Sequence, residues 1–149
     1  MSNQPDHLHE IASAENSTIF SEKLKDHAIN PRNVGQIADA DGYGCAIGSC
    51  GDDMEIWLKV NDEKVVDVKF WTSGCSTTIA TGSAITEIAK GKSIQDIHLI
   101  TPQTVLNFLE GLPENHEHCA ALAVNAVKEA VKDYLMVKRE PWKKAYRPG

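Results

Sequence analysis

The chain has 149 residues, enough for one domain that buries roughly 68–70% of the surface its unfolded form exposes. Hydrophobic residues make up 42%, charged residues 24%, and the formal charge is −6, which excludes a collagen, a membrane channel and a basic nucleic-acid-wrapping protein. The 4 cysteines fall well short of the roughly 8–10% found in disulfide scaffolds.

In chain order, residues 1–18 are polar and read as a mobile tail. They carry no basic start followed by an apolar stretch, and no run in the chain reaches the roughly 18 apolar residues of a membrane span. The expected compartment is cytoplasmic and reducing, where cysteines bind metals or react more often than they pair. Ser21 to Ala28 reads as a short helix with Phe20, Leu24 and His27 near one face, stopped at Asn30-Pro31. Gly35 to Gly51 is Gly- and Asp-rich and reads as a loop or irregular edge strand. Met54, Ile56, Leu58 and Val60 alternate, as do Val66, Val68 and Phe70, and Asn61 to Lys64 has the composition of a hairpin turn. Two antiparallel strands with one buried face follow, with residues 43–48 as a third. After Ser73-Gly74-Cys75 the period becomes helical through Ile79, Ile85, Ile88 and Ala89, and Gly91 ends that helix. Ser93 to Asp96 resembles a capping box, and Thr101-Pro102 opens another helix. Ala120 to Leu135 is the strongest helix, with Val124, Val127, Val131 and Leu135 on one face. The order predicts an α+β fold: a small antiparallel three-stranded sheet packed against several helices, the C-terminal one long. Trp57 and Trp71 are expected to pack against helices, and His7, His9, His27 and His98 to lie in the tail or on the surface. Between Lys138 and Arg147 stand five basic residues and one acid. This end reads as solvated, or as a docking strip for an acidic partner with Trp142 and Tyr146 as anchors.

Three cysteines fall at element junctions. Cys50 precedes the first clear strand, Cys75 opens a helix and Cys119 opens the long one. A helix N-terminus favours thiolate. Asp52 stands beside Cys50, and His118 and His116 precede Cys119; thiolate, carboxylate and imidazole together make a ligand set for a soft metal. The spacings are 25 residues from Cys50 to Cys75 and 44 from Cys75 to Cys119. There is no CxxC pair, so a zinc ribbon, a thioredoxin site and a ferredoxin-type run are excluded. Spacing alone leaves a metal site, inert core cysteines and a catalytic thiol open.

The segments Asn30-Pro31-Arg32-Asn33-Val34-Gly35, Cys50-Gly51-Asp52, Ser73-Gly74-Cys75 and Glu117-His118-Cys119 occur in the order, and at nearly the intervals, of the U-type iron–sulfur cluster scaffolds. The chain resembles that family, IscU and the N-terminal domain of NifU, over about residues 18–138. The resemblance implies a scaffold domain over 19–138, between an N-terminal tail (1–18) and a basic C-terminal tail (139–149). It implies a transient 2Fe–2S cluster on Cys50, Cys75 and Cys119, with Asp52 as the acidic residue that keeps the cluster labile and His118 as an alternative ligand. Cys119 matches the acceptor of persulfide sulfur from a cysteine desulfurase. Iron enters at the same ligands, a ferredoxin supplies electrons, and the finished cluster passes to apo-proteins. The protein is then a carrier, not a turnover enzyme. The fourth cluster site falls to Asp52, His118 or a second subunit of a homodimer.

Two departures stand out. The family's Leu-Pro-Pro-Val-Lys segment, read by an Hsp70-type chaperone, is here Leu112-Pro113-Glu114-Asn115-His116, which puts delivery through that chaperone in doubt. His116 reads as a solvated loop histidine, with added ligation as the alternative. Cys45 is a further thiol, read as buried or inert. The rival function is a zinc-binding sulfur-relay accessory protein of the SufU kind, since the same ligands hold zinc. A zinc deaminase is excluded by the missing glutamate near the histidine and the missing Pro-Cys-x-x-Cys pair.

Overall fold

The computed structural model describes residues 20–49 and 51–146. The expected N-terminal tail, with His7 and His9, and Cys50 lie outside the described residues.

The first helix, α1 (Glu22–Ile29), starts where Ser21 accepts a hydrogen bond from the Leu24 N–H at 2.9 Å and buries Leu24, His27 and Ala28. Ser21 Oγ also donates to the carbonyl of Leu109, tying this end to a helix far along the chain. Three strands follow, β1 (Gly42–Ile47), β2 (Asp53–Asn61) and β3 (Lys64–Trp71), paired antiparallel in that order. Between β2 and β3, Asp62 (φ 55°) and Glu63 (φ 61°) are both left-handed, the backbone of a two-residue turn whose twist suits a hairpin. Asn33 and Gly35 hydrogen-bond to Phe70, each at 3.0 Å, covering part of the outer edge of β3.

The α+β architecture agrees with the sequence, but β3 does not alternate as expected. Lys59 pairs with Asp67 and Val60 with Val65, so Val66 is an extra residue. This bulge turns Val66 outward, 47% exposed, and puts Val65 in the core at 0%. One inserted residue reverses every face beyond it.

The next helix, α2 (Ser76–Ala89), is buried on almost all sides. It packs against α1, β3 and the two later helices α4 (Pro102–Leu109) and α5 (His118–Arg139). Two of its buried hydroxyls bond within the helix, Thr81 donating to Thr78 O at 2.8 Å and Thr86 to Ser83 O at 2.7 Å, which offsets the cost of burying them. The short α3 (Ile94–Ile97) is capped by Ser93, which accepts from Asp96 N–H at 3.1 Å, and α4 by a reciprocal Thr101–Thr104 box with proline in its first turn. A 3-10 turn, Glu114–His116, leads into α5.

That last helix, of 22 residues, lies across β1 and β2. It comes so close to β1 that a Cβ on Gly42 would sit 2.5 Å from the Ala130 carbonyl oxygen, and one on Gly44 would overlap the Ala130 amide. The core fills the space between the sheet and the helices: Met54, Ile56, Leu58, Val68 and Phe70 from the strands, Ile85 from α2, and Val124, Val127 and Val131 from α5. Leu135 departs from the expected face and is 38% exposed.

Three further expectations are corrected. Trp57 and Trp71 lie on the sheet face opposite the helices, since Met54, Ile56 and Leu58 take the helix side. Trp57 is covered by Tyr43 of the neighbouring strand, ring centres 5.4 Å apart, while Trp71 is half exposed. His27 is buried, held by Ser83 at 2.6 Å and by the edge of Phe108. Cys45 is exposed on β1, because Gly42 and Gly44 occupy that strand's inward positions, so of its two expected readings, buried or inert, burial is the one corrected. The basic end is drawn back to the body by Lys138–Glu63 (2.5 Å) and Lys144–Asp39 (2.6 Å) pairs, and Pro141–Tyr146 forms a 3-10 helix with Trp142 exposed.

Candidate functional site

The site lies where the loop between β3 and α2 meets the start of α5. The loop Thr72–Cys75 is pinned by the residue that opens β2. Ser73 donates to Asp53 Oδ1 from its backbone N–H (3.1 Å) and its hydroxyl (2.7 Å), and Thr72 Oγ1 donates to the Asp53 carbonyl. Those Ser73 hydrogen bonds hold the Asp53 carboxyl below its ordinary range. Gly74 N–H closes the loop onto Thr72 Oγ1 at 3.0 Å.

The pinned loop delivers Cys75 as the N-cap residue of α2, with its side chain making no capping bond. The thiol is therefore left to the site. On the other side, the tight turn in which Gly48 donates to Asp52 O (2.7 Å) and Gly51 donates to Gly48 O (3.0 Å) presents Asp52. Cys119 sits in the first turn of α5, buried, with His118 beside it. The positive ends of two helix dipoles thus meet at the two sulfurs.

The residue that joins them is Thr78, fully buried in the first turn of α2. Its hydroxyl donates to Asp52 Oδ2 at 2.8 Å, lies 3.4 Å from Cys119 Sγ and 3.7 Å from Cys75 Sγ. Cys119 Sγ is 3.8 Å from His118 Nε2. Four of the five sequence-proposed ligands, Asp52, Cys75, His118 and Cys119, are therefore gathered at one place; the fifth, Cys50, lies outside the described residues. Among the described residues no three His, Cys, Asp or Glu side chains form a set that could hold a metal ion. The Thr78 hydroxyl stands between Asp52 and the sulfurs. Gly74 completes the packing: a Cβ there would lie 2.8 Å from both Asp52 Oδ2 and Thr78 Cβ.

Thr78 was not anticipated. The available signal was its spacing, three residues after Cys75, which puts both on one side of the first helical turn. His116 lies in the 3-10 turn and its N–H bonds the Pro113 carbonyl at 2.8 Å, a local turn contact. Cys45 belongs to a different place, a cleft of about 280 Å³ between β1 and α5 lined also by Tyr43, Glu129 and Asp133. Partial burial, then the carboxylates of Glu55 and Asp53, push its thiol above the ordinary value, which suits an unreactive cysteine. Among the described residues no helix is long and apolar enough to cross a membrane.

The family model for the NifU-like N terminal domain matches residues 19–141. The chain is 48% identical over 119 residues to the iron-sulfur cluster assembly scaffold protein IscU 1 of Archaeoglobus fulgidus, covering 78% of this chain and 77% of that one. It is 42% identical over 120 residues to the IscU scaffold protein of Escherichia coli, covering 77% and 93%. Its fold resembles the crystal structure of a NifU-like N-terminal protein from Brucella abortus, with a TM-score of 0.67 at 17% identity, over 79% of this chain and 95% of that one.

Proposed function

The chain belongs to the family of NifU-like N-terminal domains, and on that footing we propose that it is an iron–sulfur cluster assembly scaffold. Iron and persulfide sulfur from a cysteine desulfurase combine on it into a 2Fe–2S cluster, a ferredoxin supplies electrons, and the cluster is handed to apo-proteins. The work is assembly and transfer, not turnover of a small molecule. The scaffold unit is residues 19–138, acting in the cytoplasm.

The single observation that carries this reading is the convergence of Asp52, Cys75 and Cys119 on one buried hydroxyl, with His118 against Cys119. Cys50, Cys75 and Cys119 are assigned as thiolate ligands, Asp52 and His118 as the ligands that exchange. Cys119 accepts the persulfide: its thiolate attacks the outer sulfur of the desulfurase persulfide and releases the desulfurase thiolate. Soft sulfur donors suit a cluster, while a carboxylate is a harder and weaker ligand, useful for capturing incoming iron and for letting the product go.

Anaerobic reconstitution with iron, cysteine and a desulfurase tests it. Visible charge-transfer bands from sulfur to iron are the expected result. Their absence, with zinc held tightly throughout, would replace the scaffold reading by a zinc-bound sulfur relay. Replacing Asp52 by Ala is expected to give a longer-lived cluster and slower transfer to an apo-ferredoxin; an unchanged transfer rate removes Asp52 from the release step.

A further inference from the structure

We propose that Thr78 is the positioning residue that holds Asp52 for metal capture, acting through its side-chain hydroxyl; the proposal rests on the metal-site reading above. Thr78 behaves unlike Thr81 and Thr86, two other buried threonines of α2. Thr81 and Thr86 turn their hydroxyls back to carbonyls of their own helix, three residues earlier. That is the ordinary way for a helical hydroxyl to be buried at little cost. The Thr78 hydroxyl instead crosses to Asp52, 26 positions away in the chain. Filling the space does not require this, since valine has nearly the same shape and no polar group to desolvate.

A threonine hydroxyl has one proton and two acceptor positions. The proton is committed to Asp52 Oδ2, and the same oxygen faces the sulfurs of Cys119 and Cys75. One atom thus sets the separation between the carboxylate and both thiols. A carboxylate has two oxygens, so the one held by Thr78 leaves the other for an incoming divalent ion. Gly74 keeps this geometry open, because a side chain there would press on both Asp52 and Thr78. Partners that orient a metal ligand in this manner typically contribute about 10–100-fold to metal affinity.

The test is a titration of the reduced, metal-free full chain with cobalt(II), read by its ligand-field and sulfur-to-metal bands. It is run on the wild type, Thr78→Val, Thr78→Ser, Asp52→Ala and the Thr78→Val/Asp52→Ala double variant, with a thermal melt of each as the folding control. Thr78→Val is expected to bind about 10–100-fold more weakly with altered ligand-field bands, and Thr78→Ser to restore both. In the Asp52→Ala background the valine should cost nothing further, since a residue acting through Asp52 has nothing left to act on. Wild-type affinity in Thr78→Val, or an undiminished loss in the Asp52→Ala background, overturns the proposal while leaving the metal site standing. A wild type that shows no sulfur-to-cobalt bands overturns the metal-site reading and this proposal with it.

Discussion

At the scale of single residues, the site depends on what is missing at Gly74 as much as on the side chains present. A methyl group there would lie 2.8 Å from Asp52 Oδ2, well inside normal contact. Gly74→Ala is expected to weaken cobalt(II) binding by about tenfold or more, as loss of ligand orientation does, and a titration at wild-type affinity would mean that the loop yields. His27 shows a different residue-scale effect. Burial, then the Arg32 charge, holds its imidazole below 6.5; Lys23 adds to this, and Asp26 and Glu87 pull the other way. Ser83 Oγ already accepts from Arg32 N–H at 2.9 Å, so its own proton is available to the His27 ring. The unfolded chain takes up a proton near 6.5 that the folded chain resists. The contribution of neutral His27 is therefore complete above that value and is lost as pH falls from there toward the folded pKa. Urea midpoints measured between about pH 7 and 5 should decline in the wild type and decline less steeply in His27→Asn, which keeps an acceptor for Ser83. Equal slopes would assign the decline to other groups.

At the scale of elements, the bulge in β3 and the seat of α5 decide the packing. Val65 is buried and Val66 half exposed, the reverse of strict alternation from Phe70. Val65→Ala is expected to cost about 2 kcal/mol and Val66→Ala less than about 0.5 kcal/mol, both by denaturant unfolding. The opposite order would place the register one residue away. Gly44 is the other sensitive position, because α5 backbone atoms occupy the space where its Cβ would stand. Overpacking against backbone cannot be relieved by a rotamer change. Gly44→Ala is therefore expected to cost about 3 kcal/mol or more, measured in the same way. A near-neutral result would mean that α5 can lift from the sheet without loss.

At the scale of the whole molecule, an acidic body closes on a basic end. Lys138 reaches Glu63 in the β2–β3 hairpin and Lys144 reaches Asp39, 105 positions away. Lys138 and Tyr134 together hold the Glu63 carboxyl below its ordinary value. Both pairs are partly exposed, so they orient the end more than they stabilise the fold. Lys144→Ala is expected to change unfolding free energy by less than about 1 kcal/mol, with the difference fading in high salt. A larger, salt-insensitive loss would show that the end is a structural part of the core. The fraction of the basic end that remains for an acidic partner is correspondingly smaller than its composition suggests.

The sequence by itself determined the elements, their order and the candidate ligands. Ser21, Ser93 and Thr101 cap helices by bonding residues three positions on, and the alternation of β2 needs only its own residues. Such signals are local, so they are readable without a fold. The spacing of the four motifs likewise identified the family resemblance. The tertiary structure alone decided the rest. The hydroxyl of Thr78 became the meeting point of Asp52, Cys75 and Cys119, and His27 became a core residue through Ser83. The reason is common to both. Each outcome depends on which element arrives opposite a residue, across 26, 41 or 56 positions of chain, and no local pattern carries that information.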